Sequence, residues 1–202
     1  MTSATISDTK LDLYEAHKKE YAASAKPTLV EIRPAVYLTI TGQGAPGSPA
    51  FTDAIGALYG VAFTVKMTRK FAGKEDYSVC KLEALWPDWG TAAEPNWQLL
   101  IRTPEFVTPG DLRDAVRTLA KRGKGDHADR VRLHAISEGL CVQAMHIGPY
   151  ENESKTIDAM RAFAEKQGMR ISGPHHEIYL SDPRRCDPSK LKTILREPVS
   201  KA

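Results

Sequence analysis

The chain carries one strand–helix–strand pattern twice, and that repetition constrains its fold more than any other feature. A β-branched run ending in glycine, Val36-Tyr37-Leu38-Thr39-Ile40-Thr41-Gly42, precedes a helical stretch, and Glu83 and Trp86 follow on a later strand. A second run, Leu140-Cys141-Val142-Gln143-Ala144-Met145-His146-Ile147-Gly148, precedes another helical stretch, and Glu177 and Tyr179 follow. Gly42 and Gly148 lie 106 positions apart and Asp53 and Asp158 lie 105 apart. Glu83 and Glu177 are separated by 94, as one shorter connection in the second copy would give. Units of this kind do not bury a hydrophobic face alone, so they pack together, usually about a pseudo-two-fold axis. The groove at their junction is the natural place for a ligand.

The local signals fill in an α+β fold. Residues 8–22 read as a polar helix capped by Asp8, stopped by Pro27, with Leu11, Tyr14 and Tyr21 on its packing face. Thr28–Arg33 and Val36–Thr41 are strands separated at Arg33-Pro34. Ser48-Pro49 supplies an N-cap and an N1 proline for a helix with Phe51, Ala54, Ile55, Leu58, Tyr59 and Ala62 on one stripe. Tyr77–Trp86 and Trp97–Arg102 are strands, and Thr108-Pro109 opens a helix that ends near Gly123. Val131–Ala135 and Leu140–Ile147 read as a hairpin turning at Ser137-Glu138-Gly139. A helix over about 154–167 precedes Gly168, placed as a C′ glycine. Glu177–Ser181 is the matching late strand, and Leu191–Leu195 a final edge strand. The expected architecture is a pair of strand-helix-strand-strand units, a largely antiparallel sheet, helices on one side and a central groove. The division is an N-terminal helical extension (1–27) and a domain over 28–202. That domain comprises a first repeat of about 28–102, a linking helix of about 108–123 and a second repeat of about 129–196.

Composition argues against several classes of function. The net charge is only +3 over 202 residues, and basic residues cluster only at Lys121-Arg122-Gly123-Lys124 and Arg184-Arg185, so nucleic acid is not an expected partner. Three scattered cysteines form neither a disulfide framework nor a zinc motif. No run reaches membrane-spanning length and no leader-like apolar segment opens the chain, so a cytoplasmic protein with no membrane partner is expected. The glycine loop Gly42-Gln43-Gly44-Ala45-Pro46-Gly47 lacks the Lys-Ser/Thr pair of a phosphate loop. His134, His146, His175 and His176 match no ligand spacing, and adjacent strand residues point to opposite faces, so neither metal nor cofactor is called for.

Trp86, Trp89 and Trp97 fall at the end of one strand and the start of the next, where they either converge on one rim or plug the core. Glu83 and Glu177 sit inside apolar strands. A carboxylate there must find a partner or take up a proton. Alternation puts Glu177 and Tyr179 on one face, where they would meet a ligand cation or act in acid–base catalysis. The plainer alternative is that each glutamate faces solvent or joins an internal network. Tyr150, after Gly148-Pro149, either lines the groove mouth or packs its loop.

Several segments together resemble the stand-alone GyrI-like proteins. They are Lys26-Pro27-Thr28-Leu29-Val30-Glu31, Gly42-Gln43-Gly44-Ala45-Pro46, Ala57-Leu58-Tyr59-Gly60-Val61-Ala62-Phe63-Thr64-Val65-Lys66, Leu82-Glu83-Ala84-Leu85-Trp86, and Trp97-Gln98-Leu99-Leu100-Ile101. Two more are Met145-His146-Ile147-Gly148-Pro149-Tyr150-Glu151-Asn152-Glu153 and His175-His176-Glu177-Ile178-Tyr179-Leu180-Ser181-Asp182-Pro183-Arg184-Arg185. The resemblance implies the duplicated fold and a groove like that of the effector-binding domains of multidrug-responsive transcription regulators. There a glutamate, here Glu177, meets lipophilic cations. It also implies, from some stand-alone members, hydrolysis of cyclopropane-bearing DNA-alkylating natural products, with Glu177 and Tyr179 as the catalytic pair. Trp86, Trp89, Trp97, Glu83, Tyr150 and Phe63 are the matching ligand-binding candidates. Pro87-Asp88 separates Trp86 from Trp89 where the family often has adjacent tryptophans, and Phe63 replaces a common tyrosine. The expected partners are small hydrophobic or cationic molecules, bound for protection. Gyrase, suggested by the family name, finds no acidic mimicry segment here. With about 25 residues before the first strand, no helix-turn-helix is expected.

Overall fold

The structure, a computed structural model, describes residues 10–202. It is an α+β fold built on a nine-stranded antiparallel sheet. Strands β1 (Thr28–Ile32) and β2 (Ala35–Gln43) lead into helix α3 (Pro49–Phe71), then β3 (Glu83–Trp86), β4 (Asn96–Thr103) and α4 (Pro109–Lys121). Next come β5 (Arg132–Ile136), β6 (Gly139–Ile147), α5 (Ser154–Lys166), β7 (Met169–Ile171), β8 (His175–Tyr179) and β9 (Lys192–Lys201). Short helices α1 (Leu13–Ala16) and α2 (Lys18–Tyr21) precede them. Among the described residues no helix is long and apolar enough to cross a membrane.

The strand order is β1-β6-β9-β8-β3-β4-β2-β5, with β7 also on β9. The order mirrors itself about the β8–β3 contact: β6, β9 and β8 on one side match β2, β4 and β3 on the other. Thr28 faces Gln143 and Ile32 faces Gly139, while Ala35 faces Ile136 and Thr39 faces Arg132. One register therefore runs unbroken across Arg33-Pro34 and Ser137-Glu138, and both ends of the strand order meet at that crossing.

The helix starts follow their caps. The Ser48 hydroxyl accepts from the Phe51 N–H with Pro49 at the first turn. Thr108 and Asp111 form a reciprocal capping box. Gly168 adopts φ 70°, the left-handed conformation its place after α5 requires. Register places Leu38, Ile40, Leu99, Ala84, Glu177 and Leu195 on one face. There α3 packs through Ala54, Leu58, Val61 and Val65, and α5 through Ile157, Met160 and Ala164, as two adjoining cores. Trp89 touches both.

Five expectations need correction. Asp8 lies outside the described residues; the observed cap is Asp12, and the helix breaks at His17 into α1 and α2, whose Glu20 turns inward to Arg102. The strand foreseen from Tyr77 is regular only from Glu83, because Tyr77 and Cys80 are buried by packing outside the ladder. β5 and β6 are consecutive but form no hairpin, since β5 pairs with β2 and β6 with β1 and β9. β9 is not an edge strand, because it lies between β6 and β8. The shortening of the second unit lies mostly in its helix, 13 residues against 23, and not in a connection.

Candidate functional site

Pleating sorts the residues of the central strand pair. Trp86 faces His175 and Ala84 faces Glu177 across β3 and β8, whereas Glu83 faces Ile178 and Leu85 faces His176. Side chains directly opposite share a face. His175, Glu177 and Trp86 therefore look toward α3 and α5, and Glu83 and His176 look toward α2, so the helices do not all lie on one side of the sheet as expected.

On the helix side the Tyr179 hydroxyl donates to Glu177 Oε2 at 2.5 Å, fixing one carboxylate oxygen. His175 Nε2 stands 3.5 Å from Glu177 Oε1, and its Nδ1 stands 3.5 Å from Glu197 Oε1. Neither contact has hydrogen-bond geometry. Behind them Arg161 holds Glu197 through Nε at 3.2 Å and Nη2 at 2.7 Å. Trp89 lies over the imidazole, ring centroids 4.9 Å apart and planes inclined by 30°, and Trp86 meets Trp89 edge-on at 5.6 Å. Tyr150 packs edge-on against Tyr179 at 5.8 Å.

A third acid completes the cluster. Glu153 occupies the position just before α5 but makes no capping bond; its side chain turns inward and the residue is 1% exposed. One donor atom each from Glu153, His175 and Glu177 lie within 4.8 Å of one another. Burial first, and the Glu177 carboxylate second, push the Glu153 carboxyl up to about 9. Burial would pull the His175 imidazole down, but the Glu177 and Glu197 carboxylates on either side outweigh it and raise it. Burial and then Glu177 raise the Tyr179 phenol well above its usual range, so its hydroxyl stays a proton donor.

The structure brings Glu177, Tyr179, Trp86, Trp89 and Tyr150 together, and it keeps three other candidates apart. Trp97 lies behind Phe51, its ring pressed over Gly42, where an added Cβ would sit 2.2 Å from the indole. Phe63 is 52% exposed on α3, stacked on Tyr59. Glu83 is on the opposite face, accepting from His176 Nε2 at 3.0 Å and more weakly from the Tyr21 hydroxyl at 3.4 Å. That face carries its own buried polar network: His176 Nδ1 to Glu138 at 2.9 Å, Arg196 to Glu138 at 3.0 Å and to Gln143 at 3.1 Å, and Arg102 to Glu20 at 2.7 Å. A cavity of about 540 Å³ near the N-terminal helices, lined by Leu13, His17, Arg33, Arg102 and Phe106 among others, includes none of the residues gathered around Glu177.

Sequence reasoning missed Glu153 and gave His175 no role. For Glu153 the available signal was an acid directly before a helix in Gly148-Pro149-Tyr150-Glu151-Asn152-Glu153. For His175 it was strand alternation, which puts it on the face of Glu177.

The GyrI-like small molecule binding domain family matches residues 100–199. A hydrolase from Listeria innocua is 37% identical, with a TM-score of 0.87, over 95% of this chain and 100% of that one. A hydrolase encoded by lin2189 of the same organism is 34% identical, with a TM-score of 0.88 over the same shares. The EcmrR C-terminal domain shares the fold at 13% identity and a TM-score of 0.62, covering 88% of this chain and 98% of that one. Curated proteins offer no match. The chain belongs to the GyrI-like small-molecule-binding family.

Proposed function

We propose that this protein is a hydrolase that opens strained, electrophilic small molecules in the groove between two duplicated units, residues 28–102 and 129–196, joined by α4. Cyclopropane-bearing DNA-alkylating compounds are the substrate class. The observation that carries this reading is the buried pair Glu153 and Glu177, with Tyr179 holding one of them at 2.5 Å. Two carboxyls this close do not both ionise readily, and divided protonation is what acid–base catalysis needs. Glu153 keeps its proton at neutral pH and serves as the acid. Glu177, oriented by Tyr179, serves as the base. Tyr179 is thereby a positioning residue.

The step balances as an addition of water. The water oxygen forms a bond to the cyclopropane methylene while the ring C–C bond breaks. Its electron pair moves into the conjugated carbonyl, whose oxygen takes the proton of Glu153. Glu177 takes a proton from the water and returns it to Glu153. Ring strain leaves modest work for the protein, chiefly positioning and proton transfer. Trp86, Trp89 and Tyr150 supply walls for a planar substrate. The partly exposed Trp89 and Tyr150 must move to admit it. Similarity to Listeria hydrolases over nearly the whole chain supports the reading.

Incubation with a duocarmycin-type alkylator, followed by mass spectrometry, tests it. A water adduct is expected to grow well beyond one equivalent and to vanish in Glu177→Gln, with binding largely kept. Turnover unchanged in that variant would remove Glu177 from the mechanism. A second reading, capture of lipophilic cations without turnover, is favoured by the aromatic walls around an acidic pair. In the same experiment it would appear as intact compound that stays bound.

A further inference from the structure

We propose that Glu153, His175 and Glu177 form a binding site for one divalent transition-metal cation, zinc(II) being the best fit. The inference does not depend on the hydrolase reading. Its basis is which atoms lack partners. Both oxygens of Glu153, Oε1 of Glu177 and both ring nitrogens of His175 are buried without a hydrogen bond. The three residues are each at least 97% buried. Unsatisfied polar atoms are costly in such surroundings. Among the orphaned atoms His175 Nε2 stands 3.5 Å from Glu177 Oε1, and one ligand atom from each of the three residues converges within 4.8 Å. Three points no farther apart than that leave a position at most about 2.8 Å from each, so shifts of under about 1 Å bring all three to the 2.0–2.2 Å of zinc–nitrogen and zinc–oxygen bonds.

The surrounding shell is that of a metal site. A ligating histidine characteristically turns its second nitrogen to a carboxylate, and the carboxylate of Glu197, anchored by Arg161, stands 3.5 Å from His175 Nδ1, a contact that a small ring shift would make a hydrogen bond. Tyr179 holds the other oxygen of Glu177, leaving Oε1 free for the cation. Trp89 fixes the imidazole plane. One imidazole with two carboxylates suits zinc or manganese better than magnesium, and three protein ligands leave a coordination position open. The two carboxylates supply the charge that a dication neutralises, whereas Arg161 is committed to Glu197. The cation takes the place of the proton on Glu153, so a metal-loaded site lacks the acid.

Chelator-treated full-length protein, loaded with zinc(II) and desalted, is expected to retain one zinc per chain by elemental analysis and to melt at higher temperature. Glu153→Gln and His175→Gln should each weaken zinc binding at least tenfold in calorimetric titration, with circular dichroism confirming the fold. No retained zinc, or affinity unchanged in both variants, overturns the proposal. Cobalt(II) in the wild-type protein gives a readout independent of the variants. Intense visible bands of a four- or five-coordinate ion support the site, and the weak spectrum of hydrated cobalt overturns it. None of these measurements needs a substrate, so absence of hydrolysis and absence of metal binding are separate results.

Discussion

Tyr179 and Glu177 sit two positions apart on one strand, and the 2.5 Å bond between them fixes the carboxylate without any other element. Removing that donor in Tyr179→Phe should lower single-turnover hydrolysis about tenfold to a hundredfold while leaving ligand affinity nearly unchanged, the range expected for a misaligned general base. An equal rate in the variant would mean that something else orients Glu177. This pair was legible in the sequence because alternation along a strand is a local rule. Glu153 was not legible: it belongs to no periodic pattern, and its partner arrives from another element. Glu83 misled for the opposite reason. Its setting in Leu82-Glu83-Ala84-Leu85-Trp86 looks like that of Glu177, yet a one-residue difference in phase puts it on the other face.

Strand β9 shows what tertiary pairing adds at the scale of elements. Read locally, Leu191–Leu195 looks like an edge, yet β9 lies between β6 and β8 over Thr193–Arg196, runs on to Lys201 alongside β7, and carries Arg196, whose guanidinium reaches Glu138, Gln143 and the Glu20 carbonyl. Arg196→Met should cost about 3–5 kcal/mol in urea unfolding, because Glu138 would stay buried with its charge half compensated. A loss below about 1 kcal/mol would show that water replaces the guanidinium there. Helix starts were readable because Ser48-Pro49 and Thr108-Pro109 satisfy backbone donors within a single turn. The false hairpin at Ser137-Glu138-Gly139 has the same physical root. Gly139 does take φ 67°, the local mark of a turn, yet the chain runs on from β5 into β6 in one register against β2 and β1, because local conformation does not select which strand lies alongside.

Across the whole molecule, one face of the sheet buries three carboxylates, Glu20, Glu83 and Glu138, against Arg102, Arg196 and His176. Burial lowers the tendency of His176 to hold a proton, but Glu138 and Glu83 outweigh it and lift its pKa to about 9. The unfolded imidazole titrates near its ordinary value of about 6.5. The stabilisation from charged His176 is therefore complete below that pH, and it fades as pH rises from there through about 9. Thermal melts should show a falling midpoint from pH 7 to 10 in the wild type and a flatter profile in His176→Gln. Parallel profiles would place the alkaline loss elsewhere.

The two ladders that share one register between residues 28–39 and 132–143 also set a timetable for synthesis. When the first half leaves the ribosome, β1 has no neighbour and β2 lacks its β5 flank, because both partners are still untranslated. The gap between β6 and β8 stays open until β9 follows. Contacts this distant in sequence slow folding, and exposed strand edges invite the wrong partner while they wait. Nascent chains of this protein thus have a long vulnerable interval, one that a ribosome-associated chaperone would be expected to cover.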